Sequence, residues 1–220
     1  MSTDPNWNKK MQNNLQRIDQ WLSQHAAKIK QDSLNPPATL QQLNELEQLI
    51  KQTLPEDFKA LYLWHNGLND DRNLGNLFYA MDFFPIAQFI EQVQRRADMV
   101  DQLIALHHAD PEIDAQNVFN PLWIKFAFDG GETGLYLDLA PSASGKVGQV
   151  IFIDDEYEIG LCVANSIHTL IADFANDLER DLYSLDEDAL EDENEFLVCD
   201  DRIDIINWSA SERWTRPSFE

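Results

Sequence analysis

Between Leu122 and Leu139 the chain alternates apolar and polar side chains twice, on either side of Asp129-Gly130-Gly131. A period of two puts Leu122, Ile124, Phe126 and Phe128 on one face of a strand and Trp123, Lys125 and Ala127 on the other. Leu135, Leu137 and Leu139 repeat the pattern around Tyr136 and Asp138. An Asp-Gly step between two such runs is a hairpin signal, here with a slightly long loop. The chain must therefore build a sheet with at least one buried face. Val147–Ile153 is apolar on both faces and reads as a central strand. Ile159–Ala164 reads as a further strand beyond the acidic turn Asp154-Asp155-Glu156.

Around these strands the period changes to that of helices. Leu15, Ile18, Leu22, Ala26 and Ile29 fall three or four apart, which predicts one long amphipathic helix over 6–32, with Asp4-Pro5 as its start signal. Pro36-Pro37 ends it and opens a linker. A second helix runs from the N-cap candidate Thr39 to Lys51, striped by Leu40, Leu43, Leu46 and Ile50. Pro55 is placed at the first position of a third helix, Glu56 and Asp57 complement its positive end, and Asn66-Gly67 ends it. Leu77–Phe84 reads as a short strand region. Pro85 starts a helix with Ile86, Phe89, Ile90, Val93 and Ala97 on one face, extending as far as Leu106. His107–Asn120 reads as an irregular loop. Ser166 or Asn165 caps a helix whose inner face is Ile167, Leu170, Ile171, Phe174, Leu178 and Leu182. Asp186–Glu195 reads as a short exposed helix, and the apolar residues of Ile203–Trp214 are expected to dock back. Helices and strands segregated in this way imply an α+β fold: a mixed, mostly antiparallel sheet of about 4–6 strands flanked by helices.

Two stretches carry more than punctuation. The first pairs Glu47 with Leu54-Pro55, then Phe58, and ends at Asn66-Gly67. The second runs from Phe126 through Gly131 to Leu137-Asp138, then Pro141, Gly145 and Gly148–Ile151, with Ser166 before the last helix. In this order they resemble the signatures of the SUKH superfamily, which includes fungal cell-wall assembly regulators and many bacterial toxin-immunity proteins. The resemblance covers roughly residues 36–183. It implies a SUKH-like α+β domain there, with an N-terminal helical extension (1–35) and an acidic C-terminal extension (184–220). It also implies a binding protein rather than an enzyme. The motif residues Glu47, Leu54, Pro55, Asn66, Gly67, Asp138, Gly148 and Ser166 are expected to serve mainly the structure, since a carboxylate beside a core needs partners.

Charge narrows the partner. The chain carries a net charge of −23, and residues 173–204 alone contribute −12, while residues 1–35 carry +2. Such a surface repels nucleic acid and anionic lipid and attracts basic proteins. No apolar run approaches 18 residues, so no membrane span is expected. The stretch Met1–Asn6 has no basic or apolar leader pattern, so no secretory signal is expected. Two cysteines, Cys162 and Cys199, suggest no disulfide framework, and a reducing cytoplasm fits best.

No catalytic, metal or cofactor site is expected. His107 and His108 are adjacent, so helical placement would not converge them on one metal. His65 is read as a partner of a helix C-terminus. Cys162 reads as a small core residue, and Cys199 sits in an acidic setting that disfavours a thiolate. Asp154-Asp155-Glu156 with Glu158 lacks the order and glycine of a calcium loop. Gly145-Lys146 lacks both the upstream glycine and the following hydroxyl of a phosphate loop.

Two expectations follow. The first is an immunity protein that binds a basic toxin domain, such as a nuclease, through Asp186, Glu187, Asp188, Glu191, Asp192 and Glu193. The alternative is a regulatory scaffold like the fungal cell-wall assembly regulators, or else a small-ligand sensor. The protein is expected to be a monomer or a homodimer paired through the apolar stripe of its N-terminal helix.

Overall fold

The computed structural model describes residues 6–97, 104–116, 118–156 and 158–219. Its centre is a six-stranded sheet. The strands are β1 (Asp82–Phe83), β2 (His108–Ala109), β3 (Trp123–Phe128), β4 (Thr133–Asp138), β5 (Gln149–Asp154) and β6 (Ile159–Ala164). They lie in the order β1-β3-β4-β5-β6-β2, and every pairing is antiparallel except β2 with β6. The fold is therefore α+β, with a mostly antiparallel sheet. Strand β5 is central and buried along its whole length.

Both faces of the sheet are covered. Phe126, Leu135, Leu137, Val150, Phe152 and Leu161 point into the main core. Trp123, Tyr136, Ile151 and Ile153 point the other way, onto Leu106 and Ile113. A bulge explains why β3 departs from simple alternation. The register slips between Lys125 and Ala127, so Ala127 turns into the main core and Phe128 turns outward. There Phe128 lies 4.3 Å from the Lys125 ammonium and packs against Phe84.

The helices are α1 (Trp7–His25), α2 (Leu40–Ile50), α3 (Glu56–Trp64), α4 (Ile86–Ala97), α5 (Ile167–Glu179) and the short α6 (Glu187–Glu191). Helix α1 lays Met11, Leu15, Ile18 and Leu22 against α5 and α3. The stripe that suggested a dimer is thus covered within the chain. Thr39 and Gln42 close a reciprocal capping box at α2, and the Ser166 hydroxyl accepts from Thr169 N–H at α5.

Several expectations are corrected. The helix predicted over 6–32 ends at His25, and a wide turn, Ile29–Ser33, follows. The break has a cause: the Lys28 and Ile29 N–H groups donate to the Glu195 carboxylate, at 2.7 and 3.3 Å. Pro55 stands one residue before α3, as its cap position, rather than inside it. Gly67 does not cap α3, which ends at Trp64 with His65 as its C-cap; the left-handed backbone of Gly67 lets it lie against Phe84 and Pro85, where an added Cβ would come within 2.2 Å of the Pro85 nitrogen. Leu77–Phe84 is a turn around Tyr79 and Ala80, both left-handed, leading into only two residues of strand. The stretch 107–120 contains β2, which adds a parallel strand to the β6 edge. Helix α4 was expected to extend to Leu106, but residues 104–106 are not helical, and 98–103 fall outside the described residues, as does the Asp4-Pro5 start signal of α1.

Beyond α5 the chain builds a second, two-stranded sheet that the sequence did not suggest. Strands β7 (Tyr183–Leu185) and β8 (Leu197–Cys199) pair antiparallel, with α6 between them. Ile203, Ile205 and Trp214 then dock into the main core, as expected. Arg213 fixes this return by a paired hydrogen bond to the buried Asp177, one arm at 2.8 Å.

Candidate protein-binding surface

The motif residues converge on two structural joints. At the first, the Glu47 carboxylate accepts from Leu54 N–H at 2.8 Å and pairs with the Lys59 ammonium at 3.0 Å. Burial pushes this carboxyl up, but the Leu54 N–H and Lys59 outweigh it and hold it below its ordinary value. Leu54 is buried, and Pro55 lies over Gly148, where an added Cβ would come within 2.8 Å of the proline ring. The two signatures, far apart in the chain, thus touch. Asn66 joins the same region: its side-chain oxygen accepts from Ile86 N–H at 2.9 Å, at the start of α4.

The second joint is a row across three strands: Trp123 opposite Asp138, and Asp138 opposite Gln149. Asp138 is fully buried and accepts from Ala140 N–H at 2.9 Å and from the Gln149 amide at 2.8 Å. Burial raises its carboxyl to about 6, only partly offset by these donors. The Trp123 indole N–H also favours the carboxylate, although it makes no hydrogen bond of normal geometry. Gln149 passes the restraint onward. Its amide donates to Glu112 O at 3.0 Å and its oxygen accepts from Lys146 N–H at 2.9 Å, which fixes the loops at 112 and 146. Ser166 serves as the α5 cap already described. All eight motif residues thus have structural positions.

The acidic residues expected to bind a partner lie together on the β7–α6–β8 hairpin. Glu187, Asp188, Glu191, Asp192 and Glu193 are exposed, while Asp186 is half-buried and caps α6 by accepting from Ala189 N–H at 3.0 Å. Leu190 and Val198, 45% and 39% exposed, stand among them. This gives the hairpin apolar contact area as well as charge.

What positions this hairpin is a set of amides that the sequence reading missed. Asn76 embraces Leu197, accepting from its N–H at 2.7 Å and donating to its carbonyl at 2.9 Å. Asn73 accepts from Glu195 N–H at 2.9 Å, and Asn194 accepts from Leu74 N–H at 2.9 Å. The Lys28 ammonium donates to Glu193 O. The recurrence of asparagine at 69, 73 and 76 was the available signal, and it reads from sequence only as a turn.

Among the described residues no group of His, Cys, Asp and Glu could hold a metal. Asp154 is buried and accepts from the Trp208 indole at 3.0 Å. His65 stands at the C-cap of α3, where its Nδ1 meets Asn35 O at 2.6 Å, and burial lowers its pKa. The Cys162 and Cys199 thiols are pushed up to about 11 and about 12, mainly by burial and then by neighbouring carboxylates. Cys162 is half-buried rather than a full core residue. No helix among the described residues is long and apolar enough to cross a membrane.

Comparison with known proteins adds to this geometry. The sequence model of the SMI1 / KNR4 family (SUKH-1) matches residues 37–173. A cell wall biosynthesis/cell cycle regulator, smi1, of Schizosaccharomyces pombe is 26% identical over 213 residues, covering 90% of this chain and 40% of that protein. A glucan synthesis regulatory protein of Neurospora crassa is 21% identical, covering 91% of this chain and 45% of its own length. The cell wall assembly regulator SMI1 of Saccharomyces cerevisiae is 23% identical, covering 78% and 41%. The chain thus spans under half the length of these relatives.

Proposed function

The chain belongs to the SMI1 / KNR4 family (SUKH-1), and on that premise we propose that it is a non-enzymatic regulatory protein that acts by binding other proteins, in the manner of the fungal cell-wall assembly regulators. The observation that carries this reading is the similarity to a cell-wall and cell-cycle regulator over 90% of the chain. The structure supports it physically. The core motifs serve as joints, and the exposed charge stands on a hairpin held by fixed hydrogen bonds, so a partner meets an ordered surface. The cysteine chemistry fits action in a reducing cytoplasm.

Toxin immunity is the second reading, favoured by one feature, the net charge of −23. An acidic surface can occupy the basic groove of a nuclease and would speed its association in a salt-sensitive way. One experiment separates the two. The immobilised protein is exposed to lysate of its native host and eluted by a salt gradient. Recovery of several cell-wall or cell-cycle proteins supports the regulatory reading. Release of a single basic protein with toxin activity overturns it in favour of immunity.

A further inference from the structure

Beside the hairpin lies a groove of about 280 Å³. Its lining comes from the left-handed turn at Ala80, from β8 and from the turn at 204–207. Phe196, Val198 and Ile206 give it apolar sides, and Asp186 and Asp204 stand in its lining. No Lys or Arg lines it among the described residues. Each carboxylate is fixed by its own turn: Asp186 accepts from Ala189 N–H, and Asp204 accepts from Ile206 N–H at 3.0 Å and from the Asn207 amide. Both retain lone pairs for another donor.

Size and hydrogen bonding narrow the occupant. At about 280 Å³ the groove lies at the small end of ligand sites. A whole added strand does not fit, because Asn76 already takes the outer hydrogen bonds of β8 at Leu197. What matches apolar sides with carboxylates is a long side chain with an apolar stem and a cationic head. The surroundings extend the match, since Glu187 and Asp188 are exposed on the adjoining first turn of α6.

We propose that this groove seats one lysine or arginine side chain from a basic segment of a partner protein, its stem against Phe196, Val198 and Ile206 and its head at Asp186 and Asp204. Flanking basic residues of the same segment then face Glu187 and Asp188. The inference rests on the protein-binding reading above and gives that reading a contact point.

The test uses the full chain labelled with ¹⁵N and a capped peptide, Leu-Arg-Leu-Lys-Arg-Leu, followed by amide chemical shifts. A control peptide carries citrulline for arginine and acetyl-lysine for lysine. The expected result is saturable shifts centred on Ala80, Val198, Ile206 and Asn207 with the charged peptide alone. The double variant Asp186→Asn, Asp204→Asn keeps both turns capped and is expected to weaken binding at least tenfold. A second variant, Ala80→Leu, fills the groove without altering charge and is expected to weaken it similarly. Shifts confined to 187–193, with both variants binding normally, overturn the groove while leaving the acidic surface as the binding face. Equal binding of the control peptide overturns the cationic head. Absence of any shift at millimolar peptide overturns the groove, and recovery of regulatory partners in the lysate capture then shows that the broader reading stands without it.

Discussion

Helix α1 and the β7–α6–β8 hairpin flank the same core but are held to it by different balances of apolar and polar contact. Helix α1 is attached by an apolar stripe, with Met11, Ile18 and Leu22 fully buried. The hairpin buries Leu182, Tyr183 and Leu197, but its tip is tied by amide and carboxylate hydrogen bonds from Asn73, Asn76, Asn194 and Glu195. Apolar attachment is strong and tolerant of small shifts. Polar attachment contributes less, yet it fixes orientation, because each hydrogen bond has a narrow range of distance and angle. A surface meant to meet a partner gains from the second kind.

The largest expected effect tests the apolar side. Ile18→Ala removes a fully buried side chain and is expected to cost about 3 kcal/mol in denaturant unfolding. A loss below about 1 kcal/mol would mean that α1 is not integral to the core. On the polar side, Asn76→Ala strands both Leu197 backbone groups and is expected to cost about 2 kcal/mol. Its distinguishing sign is local: amide exchange at Leu197 and Val198 accelerates while α1 stays protected. Uniform acceleration would erase the contrast.

A third change leaves both flanking segments alone. The Asp138 carboxyl is raised to about 6, against an ordinary value near 3.8. The folded protein therefore holds this proton more tightly than the unfolded chain, and the associated stability is present below about pH 4 and lost as pH rises through 6. Between pH 5 and pH 8 the stability difference between the native protein and Asp138→Asn is expected to move by about 1 kcal/mol in favour of the variant, whatever the offset between them. A flat difference would show that Asp138 keeps an ordinary pKa. The smallest effect on folding is expected from Glu187→Gln, Asp188→Asn and Glu191→Gln together. These exposed side chains should change stability by no more than about 0.5 kcal/mol each. Their replacement should instead slow association with a basic partner, most visibly at low salt.

The same contrast explains what the sequence made legible. Periodic apolar residues reveal α1, α2, α5 and the central strands because burial selects the residue type at every turn or every second position. Ser166 and Thr39 were readable as caps because capping is a local, chemically specific task. The β3 bulge was not, since nothing in Trp123–Phe128 marks which residue is extra. Nor was the β7–β8 sheet, whose three-residue strands are too short to show a period. Asn76 was invisible as a positioning residue because its partner lies 121 residues away. Of the candidate surface, the acidic residues were plain in the sequence, whereas the groove depends on a meeting of segments at 80, 186, 198 and 206 that no local pattern encodes.

Asn76 also bears on how the protein behaves in a crowded solution. A short strand with an uncovered edge invites a neighbour's backbone to extend it. Here an amide side chain answers Leu197, and at the end of the large sheet the Asp110 carboxylate answers Cys162 N–H at 2.8 Å while Arg216 neutralises it. Side chains thus finish ladders that another molecule would otherwise continue. At Leu197 and Cys162 an approaching copy meets charge and occupied hydrogen bonds instead of a template for stacking.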